Sequence, residues 1–151
     1  MLLLFGLALF ADSALSQDTT QVKVMGMGVD ARFDPILTVL NSGDVVVFSV
    51  LEGTHTVTAY HPDNRRPDRI PKGVSPFDSG MLQKGDTWTL QLRKKGVYDY
   101  FCLPHERMGH VGRIIVGQSR NETKNPYSNK LLPAIAQEVY NSLNDNPIHN
   151  Q

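Results

Sequence analysis

One stretch decides how this chain folds: residues 98–112, YDYFCLPHERMGHVG. A segment of nine residues within it carries a thiol, two imidazoles and a thioether, at Cys102, His105, Met108 and His110. Strand-like runs lie on both sides of this segment. A thiolate combined with imidazole nitrogens is a ligand set that suits copper or zinc. The stretch is therefore predicted to be a metal-binding loop.

The spacing from Cys102 to His105 lets one tight turn present both side chains to a single ion. Pro104 stiffens that turn and removes a backbone N–H that could otherwise reach the sulfur. A second imidazole is expected from His55, which follows the apolar run VVVFSVLEGT of residues 45–54. Two histidines and one cysteine with a weaker axial group are typical of blue-copper sites, so these residues favour copper.

Three segments together carry a family resemblance: GDVVVF (43–48), HTV (55–57) and GVYDYFCLPH (96–105). They resemble the cupredoxins of the plastocyanin and pseudoazurin type over roughly residues 22–117. The resemblance implies a single copper ion and, residue by residue, the ligands His55, Cys102 and His105.

The resemblance leaves two residues open for the fourth, axial ligand. Plastocyanin and pseudoazurin carry an axial Met eight positions after the Cys, where this chain has His110. Amicyanin carries it six positions after the Cys, where this chain has Met108. We favour His110, because the loop ending resembles the Met-Gly-Met of pseudoazurin, in which the earlier Met is not the ligand. A His at this offset also resembles nitrosocyanin, a red copper protein in which a Glu joins the ligands.

An axial imidazole has consequences for the metal. Imidazole is a stronger and harder donor than a thioether, so His110 would favour Cu(II), draw the ion toward tetragonal geometry and lower the reduction potential. The sequence therefore predicts a green or red protein rather than an intensely blue one.

Apolar alternation and turn signals indicate the fold class. Short strand-like runs are separated by turns rich in Gly, Asn and Asp, with no periodic helix between them. This pattern predicts an all-β protein, an antiparallel sandwich or Greek-key barrel, in which loops at one end gather ligands from distant segments. The predicted strands lie at residues 22–25, 36–39, 45–48, 87–92, 97–101 and 113–116.

Composition bounds the remaining possibilities. The 151 residues are 40% hydrophobic, enough for one domain, and 15 basic residues balance 15 acidic ones, so no nucleic-acid partner is implied. The only cysteine is Cys102, so no intramolecular disulfide can form. A buried, inert thiol is the simpler explanation for a lone cysteine, but Pro104-His105 after it and His55 before it favour metal ligation.

The chain divides into three predicted parts. Residues 1–16 begin with a short apolar run and end with small residues, which is typical of a secretory signal peptide, with an uncleaved anchor as the alternative. Residues 17–117 are the predicted copper-binding domain. Residues 118–151 are a predicted polar linker followed by a helical extension. Export to the periplasm or the extracellular space is the expected localisation.

Two segments are each open to two interpretations. Residues 58–81 contain four prolines and several charges, which predicts an ordered loop or lid. Its arginines are either a docking patch for an acidic redox partner or, as we favour, a solvated face.

Apolar residues recur at helical spacing near the carboxyl end and predict an amphipathic helix. That helix either covers a face of the sandwich or docks on a partner or, peripherally, on a membrane. The spaced residues are Leu132, Ile135, Ala136, Val139, Tyr140 and Leu143.

Two further residues concern the surroundings of the metal. Thr56 stands where cupredoxins often carry an Asn that ties the two ligand loops together, so whether its hydroxyl replaces that tie, and hence how rigid the metal surroundings are, is left open. Glu52 is a weaker candidate, because a carboxylate at a strand end is more often solvated than bound to a metal.

These observations predict a non-enzymatic electron carrier that shuttles one electron between redox protein partners. Two alternatives stay open: an open, gas-reactive copper site like that of nitrosocyanin, and copper sequestration or delivery. Patterns for nucleophilic triads, paired carboxylates or phosphate-binding glycine loops are not found in the sequence.

Overall fold

A computed structural model describes residues 17–117 and 126–145 of the chain. The predicted signal peptide and part of the predicted linker lie outside these residues. The described elements are β1 (Thr19–Met25), β2 (Arg32–Asp34), β3 (Leu37–Leu40), β4 (Val45–Val50), β5 (Thr54–His55), β6 (Thr58–Ala59), β7 (Leu82–Gln83), β8 (Thr87–Gln91), β9 (Gly96–Phe101), β10 (Val111–Val116) and α1 (Ala134–Asp145).

Two four-stranded sheets form a sandwich, with strand orders β2-β1-β4-β8 and β3-β10-β9-β6. The strand β4 shows how the sequence sets the layers. Val46, Phe48 and Val50 are buried, while the residues between them are half-buried. Because successive side chains point to opposite faces of a strand, this alternation turns one face of β4 toward the core. Full burial of each such side chain is worth ~1.5–3 kcal/mol. The predicted all-β sandwich is confirmed.

Strand directions differ in part from the antiparallel pairing expected from the sequence. The pairs β1–β4 and β3–β10 are parallel, whereas β4–β8 and β9–β10 are antiparallel. The chain leaves the first sheet after β2, adds β3 to the second sheet and then returns with β4. Strands that meet after such a crossover are not joined by a hairpin, so short-range turn signals do not reveal their direction.

The register of the second sheet brings the two ligand segments together. Phe101, the last residue of β9, pairs with Thr58 of β6 on one side and with Val111 of β10 on the other. The residues just before Thr58 and the loop just after Phe101 therefore leave the sheet at the same end of its strands. The predicted ligands lie at that end.

The outer face of β9 and β10 is covered by the predicted helix. Ala136 and Tyr140 of α1 are fully buried in a second apolar cluster, in agreement with the interpretation that the helix covers a face of the sandwich. None of the helices in the described part of the chain has the length and hydropathy needed to cross a bilayer. The cluster consists of Tyr60, Phe101, Val111, Leu132, Ala136 and Tyr140.

A buried charge cluster joins this outer layer to the sheet. Asp99 of β9 lies between Arg69 and Arg113, with nitrogen–oxygen distances of 2.6 Å to each. All three side chains are at most 3% exposed. Arg69 also donates to the Ser128 carbonyl at 2.7 Å, and Arg113 donates to the Asn144 side chain at 2.8 Å.

The arginines of residues 58–81 therefore do not form one solvated face. Arg69 is buried against Asp99, and Arg66 pairs with the buried Glu106 at 2.7 Å. Arg65 is exposed, as the solvated-face interpretation predicts. Part of the charge run thus holds the loop to the sheet and to the ligand loop.

We predict that the Asp99→Asn substitution lowers the free energy of unfolding by about 3–5 kcal/mol, because it removes the carboxylate that two buried guanidinium groups share. Urea denaturation of the metal-free protein would measure this loss without adding salt. Asp63→Asn, at an exposed carboxylate, is the matched control and should change stability by less than about 0.5 kcal/mol. Equal losses in both variants would contradict a structural role for the cluster.

Candidate metal centre

The four predicted ligands converge at one end of the sandwich. His55 ends β5, Cys102 and His105 follow β9, and His110 immediately precedes β10. One donor atom from each of these residues lies within 4.8 Å of the donor atoms of the other three. The Cys102 Sγ lies 3.6 Å from Nδ1 of His55 and 3.4 Å from Nδ1 of His105.

Exposure differs among the four side chains. His55, Cys102 and His110 are 0% exposed, whereas His105 is half-buried. Leu103 and Met108 of the same loop are 55% and 40% exposed, and Pro104 is also exposed. The site is therefore enclosed except at the His105 edge, next to exposed apolar side chains of its own loop.

His55 is held in one tautomer by the backbone. Its Nε2 lies 2.8 Å from the Glu52 carbonyl oxygen, which can only accept a hydrogen bond, so the proton lies on Nε2 and Nδ1 is free to bind a metal. Gly53 makes this approach possible. It has a φ of 80°, and a Cβ there would lie 2.8 Å from His55 Nε2. The exposed Glu52 side chain is not part of the four-residue group.

The Cys102 thiol is buried and already accepts a hydrogen bond. The Thr56 backbone N–H donates to Sγ at 3.4 Å. Burial, partly offset by the hydrogen bonds from Thr56 and His105, raises the pKa of Cys102 to about 11. The metal-free protein therefore holds a neutral thiol near pH 7, and binding a metal as thiolate requires loss of that proton.

His110 is the member of the group whose environment most needs an explanation. Its ring is fully buried, 4.0 Å from the Phe33 ring between centroids, and neither ring nitrogen has a hydrogen-bond partner among the described residues. Burial, and after it the nearby His55 and His105, lower the pKa of His110 to about 3, against a small opposing effect of the Arg32 backbone. A buried imidazole without a hydrogen bond is costly, and a metal ion in the group would bind one of its two nitrogens. The residues present therefore fit a copper ion.

The Thr56 hydroxyl does tie the two ligand loops together. Thr56 Oγ1 accepts a hydrogen bond from the Leu103 backbone N–H at 2.8 Å, which joins the His55 segment to the Cys102 loop. Thr56 Oγ1 lies 2.8 Å from Thr58 Oγ1, which lies 3.1 Å from an Asp78 carboxylate oxygen. Since a carboxylate only accepts, Thr58 donates to Asp78 and Thr56 donates to Thr58. Thr56 is therefore the first of three hydrogen-bonded side chains, followed by Thr58 and Asp78.

Two other residues around the ligand loop, Glu106 and Gly109, carry little signal in the sequence. Glu106 is 3% exposed and accepts from Nε of Arg66 at 2.8 Å, and the Arg66 guanidinium lies 5.0 Å from the centre of the Phe101 ring. Gly109 lies directly under α1. The Glu next to His105 could have indicated an ion pair at the ligand loop, but its partner Arg66 lies 40 residues earlier in the chain and is not evident from the sequence.

The fold and the site together define a cupredoxin. The chain matches the family model described as "Copper binding proteins, plastocyanin/azurin family" over residues 20–117. The chain therefore belongs to the plastocyanin/azurin family of copper-binding proteins, and its cofactor is one copper ion rather than zinc.

Individual relatives agree with this assignment. A chloroplastic plastocyanin of Tetradesmus obliquus is 31% identical over 109 residues, covering 68% of this chain and 70% of that protein. A pseudoazurin of Methylorubrum extorquens is 29% identical over 121 residues, covering 76% and 74%. The crystal structure of pseudoazurin from Methylobacterium extorquens AM1 has a TM-score of 0.62 at 23% identity and covers 85% of this chain and 98% of that one. That structure shares the fold.

We predict that Thr56→Val loosens the ligand loop. Valine keeps the shape of threonine but leaves the Leu103 N–H without its acceptor, so the free energy of unfolding should fall by about 1–3 kcal/mol. Copper should also pass to a competing chelator faster than from the wild type, which stopped-flow absorption measures. Thr54→Val, at an exposed position next to His55, is the matched control. Equal transfer rates for the two variants would contradict the prediction.

Proposed function

We propose that this protein is a one-electron carrier whose copper ion is held by His55, Cys102 and His105, with His110 as the axial ligand. The observation that supports this most directly is the convergence of four donor side chains in an enclosed site with one half-buried edge. Copper supplies the chemistry when bound, a reversible change of one electron between Cu(I) and Cu(II).

The surroundings of these side chains suit that role. His55 is fixed by the Glu52 carbonyl, and the Cys102 sulfur is fixed by the Thr56 N–H. The Cys102 N–H donates to the His110 carbonyl at 3.0 Å, which closes the loop on itself. Ligands held in this way move little when the charge of the site changes, and small movement favours fast electron exchange.

The half-buried His105 is the proposed route for electrons. Its exposed neighbours Leu103, Pro104 and Met108 form a small apolar surface where the edge of a redox protein would dock. We propose redox proteins as the partners, and export directed by residues 1–16 as the route by which the chain reaches them.

The axial role of His110 predicts a change of colour and potential on substitution. In the Cu(II)-loaded protein, His110→Met should convert a green or red absorption spectrum to an intensely blue one and raise the reduction potential, because a thioether is the weaker donor. Optical and EPR spectra and voltammetry would measure these changes. His61→Met, at a histidine outside the group, is the matched control. A His110→Met spectrum identical to that of the wild type would remove His110 from the ligands, and a change on Met108→Leu instead would assign Met108.

One observation favours a second function. The buried His110, as the proposed axial ligand, is the feature that resembles nitrosocyanin, so we also propose the site as a candidate for nitrogen-oxide chemistry. Addition of nitric oxide to the copper-loaded protein distinguishes the two functions. A carrier should keep its spectrum and give a reversible one-electron wave, whereas an open site should show a new absorption band. Sequestration has less support, because tied and enclosed ligands oppose rapid exchange of the ion.

A further inference from the structure

The last part of the ligand loop lies against the carboxyl-terminal helix. Gly109 has a φ of 87°, and a Cβ placed there would lie 2.7 Å from Cγ2 of Ile135 and 3.6 Å from Cγ2 of Val139. Ile135 and Val139 are four residues apart, so they share one face of α1. That face contacts the backbone immediately before His110.

Tyr140, one residue further along α1, holds the base of the same loop. Its hydroxyl is buried 3.0 Å from the carbonyl oxygens of both Tyr100 and Gly112, two acceptors that share its single proton. Tyr100 and Gly112 are paired in the β9–β10 ladder. Tyr100 precedes Cys102 by two residues, and Gly112 follows His110 by two. One hydroxyl therefore ties both strands at the point where the loop begins and ends.

The helix is itself firmly attached to the sheet. Asn144 near its end accepts from Arg113, which also binds Asp99. Before the helix, the Tyr127 hydroxyl donates to the Val97 carbonyl at 2.8 Å, and the Ser128 carbonyl accepts from Arg69. A contact from α1 to the loop is thus a contact from a fixed element.

His110 depends on such backbone support more than His55 does. A hydrogen bond to the Glu52 carbonyl fixes the His55 ring, whereas the His110 nitrogens have no hydrogen bond of normal geometry among the described residues, and the ring packs against Phe33 and lies beside the His55 and His105 rings. The position of the His110 imidazole is therefore set by its ring packing and by the path of the backbone on each side.

We propose that residues 126–145 are a brace for the copper site, in which Ile135, Val139 and Tyr140 fix the backbone at Gly109–Gly112 and so hold His110 at the metal. This inference rests on the proposed ligation of copper by His110. Tyr140 is its central positioning residue, and the carboxyl-terminal segment is part of the metal centre as well as a cover for the sheet.

The test compares Tyr140→Phe with Tyr98→Phe in the full-length, copper-loaded protein. Both substitutions remove a tyrosine hydroxyl that bonds to a backbone carbonyl and keep the ring. Tyr98 bonds to the Lys94 carbonyl at 2.6 Å, at the opposite end of β9 from the site. We expect Tyr140→Phe to alter the Cu(II) EPR spectrum and to shift the reduction potential toward that of His110→Met. Copper release to a chelator should be roughly 10-fold faster. Tyr98→Phe should leave all three properties at wild-type values.

The outcomes separate this inference from the ligand assignment. If His110→Met changes the spectrum but Tyr140→Phe does not, the brace is refuted and the ligand set stands. If His110→Met leaves the spectrum unchanged, His110 is not a ligand and the proposed site fails first. Similar spectral changes in both tyrosine variants would also overturn the brace, since they would reflect general destabilisation. Should Tyr140→Phe not fold, Ile135→Ala replaces it. Ile135 is 46% exposed, and the same spectral change is expected of that variant.

Discussion

Thr56 makes two hydrogen bonds to the residues that follow β9, and the arrangement of the site depends on them. Its backbone N–H donates to the Cys102 sulfur, and its hydroxyl accepts from the Leu103 N–H. Since Thr56 follows His55 directly, these two bonds fix an imidazole from one segment against a thiol that lies 47 residues later in the chain. The pairing of Thr58 with Phe101 makes this approach possible, because it aligns the two segments before either leaves the sheet. The register of the sheet thus determines the distance between His55 and Cys102, and Thr56 makes the contacts that fix it.

The donors that converge there are unfavourable for the metal-free fold. Burial raises the pKa of Cys102 to about 11 and lowers that of His110 to about 3, so both side chains are neutral near pH 7. Neutral groups avoid the cost of buried charge, but the His110 nitrogens still lack partners among the described residues. Functional sites are where natural sequences depart from the rule that buried polar groups are satisfied. Hydrogen bonds and packing around the site hold the donors in place despite this cost, which preorganises them for the ion.

Much of the fold and the site was predictable because residue type carries the chemistry. A lone thiol followed by Pro104-His105 specifies a soft metal ligand set, and the apolar–polar alternation of residues 87–92 specifies a strand with one buried face. The resemblance to the pseudoazurin loop, whose axial ligand lies eight positions after the Cys, brought His110 into the predicted group. The parallel pairs were not predictable, since no local signal encodes a crossover. Nor was the burial of Arg69, because a charged residue in a proline-rich loop has the same sequence pattern whether it is solvated or paired with a distant Asp99.

Strand β9 connects the metal site to the rest of the molecule because both of its faces are buried. Tyr98, Tyr100 and Cys102 belong to the core between the sheets, while Phe101 belongs to the cluster beneath α1 and Asp99 binds Arg69 and Arg113. A strand with one solvated face would be fixed from one side only. Here a displacement of β9 toward either side meets packed side chains or a buried ion pair. The direction in which Cys102 leaves the strand is therefore set by two layers of contacts, and this explains why a small sandwich carries a helical segment on the sheet that bears its ligand loop.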